Sequence, residues 1–283
     1  MQKILVIGST GKVGHALVQQ LAQAGEHVRA ATRNPVGITP SAGVEPTLFD
    51  YTDLSTFEPA LTGVNRIFLM EPQPPLEGPA PQFMLPLVEA AARNQCKIVL
   101  MSSASAEFDQ YEPLLEVEAA VKSTGRPFVI LRPNWFMDNF HTMWLEPIVG
   151  AGIIPVPADG SCSAFIDSRD VAACAAAALR RDDINFHTFT LSGPEALTYY
   201  EAAAALTRAS GRPISYVPID DASFRQSLTD AGLPAEHVGY IAGLFGPTRE
   251  GRAAEVSHAV QELTGRPPRT FAQYAGDHAS AWK

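Results

Sequence analysis

The chain has 283 residues, and its 21 Lys and Arg against 30 Asp and Glu leave a formal net charge of −9. The basic residues are scattered, which excludes the basic stripe of a nucleic-acid surface. No apolar run is long enough to span a bilayer, and the N-terminus enters a strand at once, so neither a membrane segment nor a signal peptide is expected.

Residues 2–7 are mostly apolar and read as a buried strand, and Gly8-Ser9-Thr10-Gly11-Lys12-Val13-Gly14 follows as it ends. Over residues 12–24 the spacing turns helical, with Val13, Leu17, Leu21 and Ala24 on one face, and Gly25 stops the helix. Residues 28–31 form the next strand. Strand, glycine turn, helix and strand in succession predict a dinucleotide site. Pyrophosphate suits a helix N-terminus, Gly8 and Gly11 let the backbone approach it, and Gly14 lets the helix pack closely. An acidic residue at the end of the second strand would favour NAD. Thr32-Arg33-Asn34 stands there instead, and Arg33 can grip a 2′-phosphate with parallel N–H bonds. The expected cofactor is therefore NADPH/NADP, with NADH as the alternative.

The alternation continues. Residues 47–49 form a strand ending at Asp50, and Asp53 caps a helix through Phe57 and Leu61 that Gly63 closes. Residues 66–70, 97–101 and 128–131 are further strands, separated by helices over 82–94 and 113–123. Single helices between strands predict a Rossmann-type, doubly wound parallel sheet in an α/β fold. Met70, Glu71 and Pro72 open a proline-rich connection, either a stiff surface loop or a cover over the nicotinamide, at the strand edge where such sheets bind ligands. Beyond Trp135 the pattern loosens. Residues 153–156, 163–166, 186–191 and 214–217 read as short strands, 170–179 and 198–210 as helices. The expected organisation is a dinucleotide-binding domain over 1–134, with further segments returning from the C-terminal half, and a smaller α/β substrate lobe over 135–283. Cys96, Cys162 and Cys174 have no paired spacing, which suggests free thiols and a reducing, cytoplasmic setting; no cluster has metal-ligand spacing, so no metal is expected.

The glycine motif, Arg33-Asn34-Pro35 and Leu131-Arg132-Pro133-Asn134-Trp135-Phe136-Met137-Asp138-Asn139 together resemble the NmrA-like branch of atypical short-chain dehydrogenases. Phe165-Ile166-Asp167-Ser168-Arg169-Asp170-Val171-Ala172 and Leu191-Ser192-Gly193-Pro194-Glu195-Ala196-Leu197-Thr198 extend the likeness in the family's order. The resemblance implies either an NADPH-dependent reductase of quinones, dyes, imines or phenolic ethers, or a redox-sensing regulator that binds the dinucleotide without turnover. It also implies an adenine contact for Asp50, whose alternative role is a helix or turn cap. The wider superfamily carries a tyrosine four residues before a lysine as its acid–base pair. Aligning Glu118 and Gly125 with the family puts Leu114 in the lysine slot and Gln110 in the tyrosine slot. Tyr111, one residue away, has Leu115 where a lysine partner would stand.

Candidate catalytic residues are thus Ser102, which with Ser103 ends the fifth strand, and Tyr111. Ser102 is a candidate cofactor contact as well. Asn134, Trp135, Phe136, Met137, His141 and Phe165 are candidate substrate residues, because an aromatic wall with amides suits a flat conjugated ligand. Trp144 and Asn139 belong to the same stretch. Asp170 is read as a helix N-cap bridged to Arg169 or Arg132. The expected activity is hydride transfer from NADPH to a small conjugated electrophile, quinone-like or an imine or enone, by a monomer or homodimer without nucleic-acid or membrane partners. The alternative is a non-catalytic NAD(P)-binding sensor.

Overall fold

The computed structural model describes residues 3–37, 42–72, 76–108 and 112–283. In chain order, β1 (Lys3–Val6), α1 (Lys12–Gln23), β2 (His27–Thr32), β3 (Val44–Leu48), α2 (Phe57–Leu61), β4 (Arg66–Met70) and α3 (Ala80–Arg93) come first. Then follow β5 (Lys97–Met101), α4 (Ser105–Phe108), α5 (Glu112–Ser123), β6 (Phe128–Pro133), α6 (Leu145–Ala151), β7 (Ile153–Val156) and β8 (Cys162–Ser163). The last part holds α7 (Ser168–Arg180), β9 (His187–Leu191), β10 (Leu197–Thr198), α8 (Tyr199–Ser210), β11 (Ser215–Pro218) and five short helices. Those are α9 (Asp221–Asp230), α10 (Ala235–Gly243), α11 (Phe245–Arg249), α12 (Ala259–Thr264) and α13 (Phe271–Asp277).

The chain divides into two units. The first comprises Met1–Pro133, Ser168–Thr190 and Glu262–Gly265. Its parallel sheet has the order β3-β2-β1-β4-β5-β6-β9, the doubly wound arrangement in which strand order reverses beside β1. Ile67, Leu69, Ile98, Leu100 and Ile130 bury one sheet face against Leu87, Val88, Val117 and Val121 of α3 and α5. On α1, Leu17 and Leu21 are fully buried, and the helix packs against α7, whose Ala172, Ala175 and Ala178 are buried and small enough for close approach. Each such leucine contributes about 1.5–3 kcal/mol. Arg66 and Lys97, register partners at the starts of β4 and β5, are buried and donate to Leu179 O and Arg181 O at the end of α7. They satisfy carbonyls that a helix end leaves unpaired and oppose its negative pole. Asp182 pairs with both, at 3.1 Å from Arg66 and 3.7 Å from Lys97.

The second unit comprises Asn134–Asp167, Leu191–Gln261 and Arg266–Lys283. Two small sheets, antiparallel β10-β8 and parallel β11-β7, flank a core of Phe140, Trp144, Phe165, Tyr199, Phe245, Phe271, Tyr274 and Trp282. A reciprocal cap between Thr198 and Glu201 starts α8, and Gly211 in the left-handed region ends it.

Three local expectations need correction. Asp53 caps a single 3₁₀ turn, Leu54–Thr56, before α2 begins, because its carboxylate is spent on Ser55 N and Oγ. The strand expected over 163–166 shrinks to Cys162–Ser163, since the Ala164 and Ile166 N–H groups bond Ala253 O and Trp135 O instead. Helix α7 already begins at Ser168, which places Asp170 inside its first turn rather than at the cap. Among the described residues no helix is long and apolar enough to cross a membrane, and no group of three His, Cys, Asp or Glu could hold a metal ion.

Candidate active site

The sheet order sets the C-terminal ends of β2, β1, β4 and β5 side by side, so Arg33, Gly8, Met70 and Ser102 share one edge. The glycine loop there is built by contact. Gly8 has φ +69°, and a Cβ on it would lie 2.6 Å from Met70 Sδ. Gly11 N–H donates to Gly8 O at 2.9 Å. A Cβ on Gly14 would lie 2.1 Å from Gly8 O, so the first turn of α1 touches the loop only because no side chain intervenes. Around Gly11, by contrast, an added Cβ meets nothing within 4 Å except Gly8 O at 3.3 Å.

Helix α1 starts with Gly11 as its N-cap, without a side-chain cap and without an acid in its first turn. Such a helix start carries partial positive charge and suits an anion. Thr10, Gly11 and Lys12 are exposed beside it, whereas Val13 is buried in the core. Ser9 is buried, and its hydroxyl donates to Ala31 O at 2.7 Å, so its side chain pins the loop to β2 and leaves only backbone for a ligand.

Arg33 is exposed and makes no hydrogen bond or ion pair among the described residues, though it lies within electrostatic reach of Asp50. The Asp50 carboxylate accepts from Thr52 N at 2.9 Å and Thr52 Oγ1 at 2.8 Å. The backbone bond, with the hydroxyl and the Arg33 charge, outweighs partial burial and holds the Asp50 carboxyl below its ordinary range. Tyr51, which sequence reasoning passed over, donates its hydroxyl to Met70 O at 2.5 Å and ties the end of β4 to the segment after β3. Burial, and then the charge of Glu71, push its phenol well up, so it is a fixed donor and not an acid. Glu71 and Pro72 are half-buried as the chain leaves β4.

At the end of β5 the two serines part. Ser103 Oγ bonds Ser105 Oγ at 2.7 Å and accepts from Ser105 N, starting α4. Ser102 is buried, and its hydroxyl has no hydrogen-bond partner. Close to it lies the Glu118 carboxylate, which Arg132 grips through Nε at 2.9 Å and Nη2 at 2.8 Å. Leu114 is buried apolar; Gln110 and Tyr111 lie outside the described residues. Arg132 therefore gives its two-pronged bond to Glu118, a long-range pairing that no local signal announces.

In the second unit, the expected substrate residues divide by what their side chains already do. Asn134 is buried, with Nδ2 donating to Ala253 O at 2.8 Å and Oδ1 accepting from Trp135 N at 2.7 Å. Met137, Trp144 and Phe165 are buried core. Trp135 is half-buried, donates Nε1 to Thr248 Oγ1 at 2.9 Å and packs its ring on Trp144 and Phe245. Half-buried His141 bonds the Tyr274 hydroxyl and stacks on His278. Phe136 is half-buried and enters no ring contact among the described residues.

Comparison with known proteins agrees over the full chain. The (4-alkanoyl-5-oxo-2,5-dihydrofuran-3-yl)methyl phosphate reductase of Streptomyces griseus is 33% identical, covering 99% of each chain. The NAD(P)H azoreductase of Xenophilus azovorans is 30% identical, again over 99% of each. Among solved structures, the Escherichia coli NADPH-dependent quinone oxidoreductase in complex with NADPH superposes with a TM-score of 0.86 at 23% identity, covering 98% of this chain and 99% of that one. The model of the NmrA-like family matches residues 1–275. The chain belongs to the NmrA-like family.

Proposed function

We propose that the chain is an NADPH-dependent oxidoreductase that reduces small conjugated electrophiles, quinone-like ones first among them. The observation that carries this reading is the uncapped, acid-free start of α1 set against a glycine loop with no room for a Cβ at Gly14. The residues present fit a dinucleotide phosphate. Backbone of Gly8, Ser9, Thr10, Gly11, Lys12, Val13 and Gly14 would hold the pyrophosphate, and Arg33 the 2′-phosphate. Asp50 would serve the adenine side, and Met70, Glu71, Pro72 and Ser102 the nicotinamide side. When bound, NADPH supplies the hydride.

The chain's own part is to position and desolvate. With Leu114 in place of a lysine, an unactivated ketone finds no acid–base pair to assist it. A quinone, azo or iminium acceptor becomes electron-rich on reduction and can take its proton from water. Phe136 would offer its face to such a flat substrate, with Trp135 and His141 beside it in sequence, while Asn134, Met137 and Phe165 hold the backbone that presents it. Similar proteins named as reductases of an oxo-dihydrofuran, of azo compounds and of quinones support this substrate class. Its free Cys96, Cys162 and Cys174 suit a reducing compartment; burial pushes the Cys96 thiol up to about 11, which keeps it unreactive.

The test is NADPH and NADH oxidation against a panel of quinones, azo dyes, imines and enones, followed by nicotinamide absorbance. The expected result is turnover of at least one class with NADPH preferred. Tight NADP(H) binding with no oxidation across the panel would replace the enzyme with a sensor.

A further inference from the structure

At the C-terminal ends of β4 and β5, Met70 and Met101 are register partners, and both are half-buried. Val6 of β1 pairs with Phe68 of β4, so the next position on the same sheet face sets Gly8 beside Met70. The three atoms nearest a Cβ added at Gly8, its chain neighbours aside, all belong to Met70: Sδ at 2.6 Å, Cγ at 3.4 Å and Cε at 3.7 Å. The thioether thus rests directly against the first glycine of the loop. The backbone behind it is held, because the Tyr51 hydroxyl donates to Met70 O at 2.5 Å. On the other side, Gly11 N–H is tied to Gly8 O at 2.9 Å, and Gly14 packs beside that same oxygen. A change of size or polarity at the Met70 sulfur is therefore met by Gly8, and Gly8 carries the loop and the start of α1 with it.

Exposure separates the other methionines. Met84 and Met137 are buried, at 0% and 1%, whereas Met143 is 40% exposed. Met143 is open to an oxidant but lies in the second unit. Met70 combines partial exposure with contact to the anion-binding loop.

We infer that Met70 is a sulfoxidation site through which hydrogen peroxide weakens dinucleotide binding. The inference rests on the proposed function, which also supplies the oxidant: a quinol product gives two electrons and two protons to O₂, returning quinone and forming peroxide. The peroxide O–O bond breaks as an S–O bond forms. The sulfur loses two electrons to the peroxide, one oxygen stays on it as the sulfoxide, and the other leaves as water. A flexible apolar group becomes a polar, chiral one, and its oxygen needs a hydrogen-bond donor or water in a place packed on backbone. The loop shifts to admit it, and the N–H groups that would hold the pyrophosphate shift too. Peroxide from a product that cycles with oxygen then slows further use of NADPH.

The test treats the purified chain with hydrogen peroxide, desalts it, maps the oxidised methionines by peptide mass spectrometry and titrates NADPH by calorimetry. Met70 and Met143 are expected to gain one oxygen each and Met84 and Met137 none. NADPH affinity should fall about tenfold, the worth of one charge-assisted bond. Dithiothreitol should not reverse the loss, which separates it from reversible oxidation of half-buried Cys162. Each variant is compared with its own untreated form: Met70→Leu should show no peroxide-dependent loss, while Met101→Leu and Met143→Leu lose affinity as the wild type does. Wild type that carries Met70 sulfoxide and binds NADPH unchanged overturns the inference. So do an unmodified Met70 under peroxide that converts Met143, an equal loss in Met70→Leu, or protection by Met101→Leu instead. Should Met70→Leu not fold, partial oxidation of the wild type decides, since the affinity loss must track Met70 sulfoxide and not Met101 or Met143 sulfoxide. An untreated chain that does not bind NADPH refutes the dinucleotide site itself.

Discussion

Gly14→Ala sets two effects of opposite sign against each other. Gly14 lies inside α1, and at an ordinary helix position alanine is better than glycine by about 1 kcal/mol. Here the new Cβ would sit 2.1 Å from Gly8 O, 2.6 Å from Gly8 C and 3.1 Å from Ser9 Cα. All three are backbone atoms, so no rotamer change relieves the contact, and loop and helix must part by about 1 Å. A clash against rigid backbone belongs at the upper end of overpacking costs, about 3 kcal/mol. Subtracting the propensity gain leaves a net loss of about 2 kcal/mol, a fall in Tm on the order of 5 °C. The displaced helix start also carries the anion-binding groups, so NADPH affinity should fall at least about tenfold. Thermal melts without cofactor and NADPH calorimetry measure both. Gly11→Ala is the control: its Cβ meets only Gly8 O at 3.3 Å, so the melt should hold while NADPH binding weakens. A Gly14→Ala protein with an equal or higher Tm and wild-type NADPH affinity would refute the contact argument.

Arg33→Ala should weaken NADPH about tenfold through loss of charge-assisted bonds to the 2′-phosphate and leave NADH nearly unchanged; equal losses in titrations of both would remove Arg33 from cofactor selection. Lys97 is held at about 8, chiefly by burial and then by Arg66, against an ordinary 10.5. Its charged form is therefore costly to fold below pH 8, and that cost is relieved as pH rises from 8 to 10.5. Relative to Lys97→Met, wild-type stability in denaturant melts should rise across this window by roughly 3 kcal/mol; parallel curves would show that Lys97 titrates normally. The Tyr199 hydroxyl is fully buried without a partner, so Tyr199→Phe should be neutral or stabilising by up to about 1 kcal/mol, and a loss above about 1 kcal/mol in the same melts would reveal a hydrogen bond that the structure lacks.

Much of the first unit was legible because its signals are local. Ile4, Leu5 and Val6 alternate with nothing polar, Gly8 needs the left-handed region, and Val13, Leu17 and Leu21 recur at helical spacing. The likeness to the family then extended the reading to the second half. What escaped depends on long-range partners. Nothing near Ser168–Arg180 says that it covers α1. The Glu118–Arg132 grip joins residues 14 apart in sequence on different elements. Side-chain assignments in the aromatic stretch were the least legible: Asn134 and Met137 are buried, while Trp135 and Phe136 between them are half-buried.

The path of the chain between its two units has a consequence for how the protein is made and altered. It changes unit after Pro133, Asp167, Thr190, Gln261 and Gly265. A fragment ending at Pro133 would lack α7 over α1 and β9 beside β6, leaving a sheet edge and an apolar helix face uncovered. The amino-terminal unit therefore stays incomplete on the ribosome until residue 265 has been synthesised, and folding cannot proceed there as one finished domain followed by another. Neither unit can be lifted out or exchanged as a cassette by a single cut, so new specificity in such a chain has to come from substitutions within it.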